Sequence, residues 1–126
     1  MVGANDLQES KKFYDTTLGA LGHDAGVITQ EGPCFYLTAS GVFAITKPID
    51  DKPACHGNGS TIGFLAKTPE IVDTWHEIGL ANGGSLCEEP PGIRSVSIGK
   101  LYLAYLRDPS GNKICAMHRI SYFYFL

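Results

Sequence analysis

Few residues in this chain combine reactive chemistry with a position that would use it. Cys115 is the first candidate. It sits in RDPSGNKICAMH, residues 107–118, where a turn sequence leads into an alternating apolar run. A thiol facing inward from such a strand offers a nucleophile or a soft metal ligand. Nucleophilic use requires a nearby base or cation that lowers the thiol pKa. His118 lies three residues on and faces the opposite side of a regular strand. The expectation for Cys115 is therefore an inert small hydrophobe.

The other candidates are scattered. Cys34, Cys55, Cys87 and Cys115 contain no C-x-x-C pair. They read as free thiols without a local anchor for zinc. His23, His56 and His76 fall in a turn, a loop and a helix, and are expected to be solvent-exposed. Arg94, in PPGIRSVSIG, is placed in the loop entering a long strand; it suits either a carboxylate clamp or a solvated loop charge. Glu88 and Glu89 are adjacent, so on a strand they would face opposite sides and make no acid–base pair. Tyr36, Tyr102 and Tyr105 read as core residues, and Tyr102 and Tyr105 have opposite strand parity. Gly57-Asn58-Gly59 reads as a turn and not a phosphate loop.

The elements that must position these residues are legible in outline. DLQESKKFYDTTLGALG reads as a helix capped by Asp6, with Glu9 three residues later and Gly22 past its end. Thr68 and Pro69 open a second helix, closed by Gly83-Gly84, with Ile71, Val72, Trp75, Ile78 and Leu80 as its apolar face. CFYLTA and VFAITK form a hairpin about Ser40-Gly41. AGVIT is a weaker strand, while TIGFLAK, IGKLYLAYLR and KICAMHRI are strong ones. PIDDKPACHGNGS is a linker.

The chain also repeats itself. Shifted by 62 residues, ANDLQESKKFYDTTLGALG lies over AKTPEIVDTWHEIGLANGG, so that Phe13 meets Trp75, Tyr14 meets His76 and Leu18 meets Leu80. The repeat implies an α+β fold of two β-α-β-β-β modules, joined in a mixed, cup-shaped sheet. Module one spans residues 1–48, the linker 49–59, module two 60–119 and an aromatic tail 120–126. The tail, rich in Tyr and Phe, is expected to be buried.

VGANDLQESKKFYDTTLGALG, GNGSTIGFLAKTPEIVDTWHEIGLANGG and AYLRDPSGNKI together resemble the vicinal-oxygen-chelate superfamily of glyoxalases, bleomycin-resistance proteins and extradiol dioxygenases. The resemblance implies paired modules, a homodimer, and a metal held in the cup by His and Glu. The family's ligand positions are altered here. The first, a histidine upstream of the helix-capping aspartate, falls before Met1. The others fall on Ala44, Thr61 and Cys115. The R-P-H-Y-H variant is matched only by RSVSI. Methyl and hydroxyl groups do not hold a divalent ion, and a stable site needs about three protein ligands. No metal or other cofactor is expected.

Strand alternation then maps a ligand-binding lining: Val42, Ala44 and Thr46; Thr61 and Gly63; Lys113, Cys115 and Met117; with Arg94 at the entrance. Such walls suit an apolar or aromatic molecule, and the net charge of −3 suits a cationic one. The alternative is a superfamily enzyme of lyase, isomerase or dioxygenase type with a non-standard site. The same net charge gives no broad case for nucleic acid or anionic membrane. No apolar run approaches the roughly 18 residues of a membrane span. MVGANDLQESKK lacks the apolar core of a signal peptide, so a cytoplasmic setting is expected.

Overall fold

The structure, a computed structural model, describes residues 1–122 of the chain. The elements in order are β1 (Val2–Gly3), α1 (Leu7–Ala20), β2 (Val27–Ile28), β3 (Cys34–Thr38), β4 (Gly41–Thr46), β5 (Ile62–Leu65), α2 (Pro69–Ala81), β6 (Ser85–Leu86), β7 (Gly92–Val96), β8 (Gly99–Arg107) and β9 (Lys113–Tyr122). The fold is α+β and built from two modules. The first sheet runs β1-β4-β3-β2. The second runs β5-β9-β8, with β6 and β7 pairing successive stretches of the far edge of β8. β1 is parallel to β4 and β5 to β9; the other pairings are antiparallel. Each sheet is hydrogen-bonded within its own module, and no ladder crosses between them among the described residues.

The duplication is visible in single bonds. The Ala4 amide donates to the Thr46 carbonyl, and the Ala66 amide donates to the Met117 carbonyl, both at 2.8 Å. The caps correspond as well. The Asp6 carboxylate accepts from the Glu9 amide, and the Thr68 hydroxyl accepts from the Ile71 amide, each at 3.1 Å. Each cap satisfies an orphan donor of a first helical turn, a contribution of about 1 kcal/mol.

Both helices cover one face of the sheets and touch each other. Phe13, Tyr14 and Leu18 of α1, Val72 and Trp75 of α2, and Ile45, Leu106 and Ile114 of the strands form a continuous buried core. One expected core position moves. Leu18 is 2% exposed, but Leu80, its partner in the repeat, is 39% exposed. Gly79 takes the inward place instead. A Cβ there would lie 2.3 Å from Leu106 Cδ1 and 3.4 Å from Phe13 and Thr17. Close approach of α2 to α1 and to β8 therefore requires the missing side chain.

Three other expectations change. Arg94 lies on strand β7, not in a loop, because Gly92–Val96 folds back on β8 as a hairpin arm. Glu88 and Glu89 lie between β6 and β7 rather than on a strand, and Glu88 adopts φ 59. This left-handed conformation is uncommon outside glycine. Strand β9 continues to Tyr122, past the expected module end at residue 119, and Ile120 is 43% exposed rather than buried. Residues 123–126 of the tail lie outside the described residues. The linker residues 49–59 carry no helix or strand, as expected.

Candidate functional site

The seam between the modules contains a pocket. β1 pairs with β4 at Ile45 and Thr46, so the Gly41–Phe43 end of β4 has no strand on its seam side. β5 pairs with β9 on one edge only. Between these two edges lies a cavity of about 530 Å³. Leu18 of α1 and Leu21 at its C-cap form its inner wall, with Phe43 and Phe64 side by side in the same lining. Those two rings meet edge to face, 5.2 Å between centroids. Alternation explains their inward aim: Phe43 shares a face with core Ile45, and Phe64 with Ile62, whereas Val42 and Leu65 stand on the opposite face, 62% and 60% exposed. Polar groups gather at the mouth: His23, Thr38, Ser40 and Lys67.

The expected lining is only partly assembled here. Val42 and Gly63 border the pocket; Ala44, Thr46, Thr61, Arg94, Lys113, Cys115 and Met117 do not. Ala44 is 3% exposed, and Thr46 is half-buried further along β4. Thr61 is exposed ahead of β5, beside a separate small hollow shared with His56 and Lys113. Lys113, Cys115 and Met117 alternate with core residues Ile114 and Ala116, so they occupy the face of the second sheet away from the helices. Arg94 donates to the Glu89 and Pro90 carbonyls. The aromatic, aliphatic and basic residues of the actual pocket were missed because strand parity alone does not reveal where two sheet edges part. The usable sequence signal was the length of the hairpins: two residues between β3 and β4, against five between β8 and β9.

The histidines also differ from expectation. His56 is exposed, but His23 is half-buried at the pocket mouth. His76 is half-buried on α2; burial pushes its pKa down from 6.5, opposed by the charge of Asp73. His118 is half-buried, with Nδ1 3.1 Å from the Ala66 carbonyl oxygen.

A second polar group surrounds Cys115. Its thiol lies beneath β5, where a Cβ on Gly63 would come within 3.4 Å of Sγ. Tyr105 is its register partner on β8. The Lys113 ammonium stands 5.0 Å from the Tyr105 ring centroid and is ion-paired with Glu88. Burial pushes the Cys115 thiol up; the Lys113 charge opposes this and the Glu88 charge reinforces it. The thiol is therefore held protonated, the reverse of an activated nucleophile.

At the far end of the seam the modules are clasped. Asp108 is buried in the β8–β9 turn, and its carboxylate accepts four hydrogen bonds. Oδ1 takes the Ser110 and Asn112 amides, each at 2.9 Å. Oδ2 takes the Tyr14 hydroxyl at 2.6 Å and Asn112 Nδ2 at 2.8 Å. Asn112 Nδ2 also donates to the Gly3 carbonyl, and the Asn5 amide donates to the Ser110 hydroxyl. Burial, then the Asp108 charge, pushes the Tyr14 hydroxyl well above its ordinary pKa. The phenol therefore remains a donor.

The family comparison agrees with this architecture. Residues 1–116 match the sequence profile of the Glyoxalase/Bleomycin resistance protein/Dioxygenase superfamily. The chain belongs to this superfamily. A glyoxalase/bleomycin resistance protein from Albidiferax ferrireducens T118 is 60% identical, with TM-score 0.91, over 94% of this chain and 95% of that one. A glyoxalase/bleomycin resistance protein/dioxygenase family enzyme from Burkholderia phytofirmans PsJN shares the fold at 16% identity and TM-score 0.71, over 94% of each chain. A lactoylglutathione lyase from Agrobacterium tumefaciens shares it at 20% identity and TM-score 0.62, over 93% of this chain and 88% of that one. No curated protein matches the chain.

Membership in the glyoxalase superfamily raises the question of a metal. The donor set does not fit one. Ala44 presents a methyl group, Thr61 lies exposed off the strand, and Cys115 is a protonated thiol beside Tyr105. Among the described residues no group of three or more His, Cys, Asp and Glu side chains converges to hold an ion. No described helix is long and apolar enough to cross a membrane.

Proposed function

We propose that this glyoxalase-superfamily chain binds a small apolar or aromatic molecule in the seam pocket, using side chains alone and no protein-bound metal. One observation carries this reading: a cavity of about 530 Å³ walled by Leu18, Leu21, Phe43 and Phe64 at the junction of the duplicated modules. Its volume falls in the ordinary range for small-molecule sites, about 300–1,000 Å³, which are mostly apolar with a few polar groups. The adjoining Phe43 and Phe64 rings in the wall suit an aromatic guest, since edge-to-face and offset contacts add roughly 0.5–1.5 kcal/mol beyond area burial.

The test is a thermal-shift screen of chelator-treated protein against neutral aromatic and aliphatic compounds. A ligand that binds the folded state alone raises the melting temperature by mass action, and the shift grows with its concentration. Concentration-dependent shifts in the presence of chelator support the reading. Shifts seen only after a divalent metal is restored would overturn it.

A further inference from the structure

We propose that the seam pocket selects molecules bearing an anionic group, a carboxylate above all, at one end of an apolar or aromatic body. The proposal rests on the pocket-binding reading above and adds the ligand's charge. Lys67 is the one charged side chain among the described residues lining the pocket, and no Asp or Glu lines it. Neither the Lys11–Asp15 nor the Lys113–Glu88 ion pair involves Lys67, which has no acidic partner among the described residues. Lys113, the other basic group near a hollow, is already neutralised by Glu88.

The backbone beneath Lys67 is fixed. The preceding residue bonds to β9 through the Ala66 amide, and the following one caps α2 through the Thr68 hydroxyl. Ser40, on the β3–β4 hairpin, also borders the pocket. Among the described residues its hydroxyl meets only the Thr38 hydroxyl, at 3.4 Å, and the Thr38 hydroxyl already donates to the Gly41 carbonyl and accepts from the Gly41 amide. Ser40 is therefore the donor in that long contact and can exchange it for a shorter bond to an oxyanion. An ammonium and a hydroxyl at the mouth, with phenyl and leucyl groups behind them, match an amphipathic acid. The chain's net charge of −3 is carried elsewhere. The nearby acid Asp24 borders an adjoining hollow rather than this pocket. A cationic guest would meet Lys67 and find no counter-charge.

The test is a calorimetric titration of chelator-treated protein with a matched pair, 4-phenylbutanoate and 4-phenylbutanol, at low ionic strength. The carboxylate is expected to bind roughly fivefold more tightly, the scale of a solvent-accessible ion pair. Salt should weaken the carboxylate alone. Lys67→Gln should bring the carboxylate down to the alcohol's affinity without changing the alcohol's. Equal affinities, or a ratio unchanged by Lys67→Gln, would overturn the charge assignment while leaving the pocket reading intact. Failure of both compounds to bind would overturn both.

Discussion

The two ends of the seam are built from corresponding parts of the duplication, yet one is closed and the other open. At the closed end Asn5 precedes the cap of α1, and its amide bonds Ser110 in the β8–β9 turn. At the open end Lys67, its counterpart 62 residues on, precedes the cap of α2 and faces the β3–β4 turn across the pocket. Turn length and chemistry account for the difference. Asp108-Pro109-Ser110-Gly111-Asn112 is long enough, and polar enough, to reach Tyr14 and Gly3. Ala39-Ser40 is a tight two-residue turn with no carboxylate. A duplicated fold thus makes a clasp and a cavity from one plan by changing a single loop, and the clasp holds the modules in register while the other end stays free to take a guest.

Removing the clasp should produce the largest effect. Asp108→Ala leaves the Tyr14 hydroxyl and the Asn112 and Ser110 donors without their acceptor in a buried turn. It should cost about 3 kcal/mol or more, read by urea denaturation. Loss of under about 1 kcal/mol would mean that the clasp does not hold the modules. Tyr14→Phe removes one of the four bonds to the carboxylate and should cost roughly 1.5 kcal/mol, since bonds to charged groups are the stronger ones. Neither change touches the pocket lining, so ligand affinity per folded molecule should persist.

Thiol labelling sharpens the contrast between accessible and enclosed regions. A thiol reagent should modify exposed Cys55 rapidly in native protein, and Cys34 and Cys115 only after unfolding, because both are buried. Rapid labelling of Cys115 would contradict the inert reading. The smallest effect concerns His76, the counterpart of Tyr14. Its folded pKa is depressed, so the unfolded chain binds the proton more readily. Stability should fall as pH drops below 6.5 and level off once the folded pKa is passed. His76→Gln should remove that slope from denaturation midpoints measured across pH.

The sequence disclosed what short-range chemistry determines. Asp6 with Glu9, and Thr68 with Pro69, mark helix starts through local bonds, and both starts lie where expected. Parity along β9 separated Cys115 from Ile114 because the strand is regular there. What remained hidden depends on long-range fit. Leu80 satisfies helical periodicity, but the crossing of α1 over α2 leaves room only for Gly79 at the contact. Arg94 reads as a loop residue because the preceding prolines and glycine mask a hairpin arm that pairing with β8 stabilises. Of the expected lining, Val42 and Gly63 border the cavity, whose position follows from how far one turn reaches and where the sheet edges separate.

The most direct test of this account places a large side chain in the cavity. Ile62 is half-buried on β5, shares a face with Phe64 and borders the pocket, so Ile62→Trp should fill part of the cavity, with folding checked by urea denaturation. Titrated calorimetrically with an aromatic ligand in the presence of chelator, the native chain should bind one molecule saturably, and the folded Ile62→Trp chain at least about tenfold more weakly, a loss of about 1.4 kcal/mol. Equal binding by the two chains, or binding that appears only when a divalent metal is added, would contradict the claim.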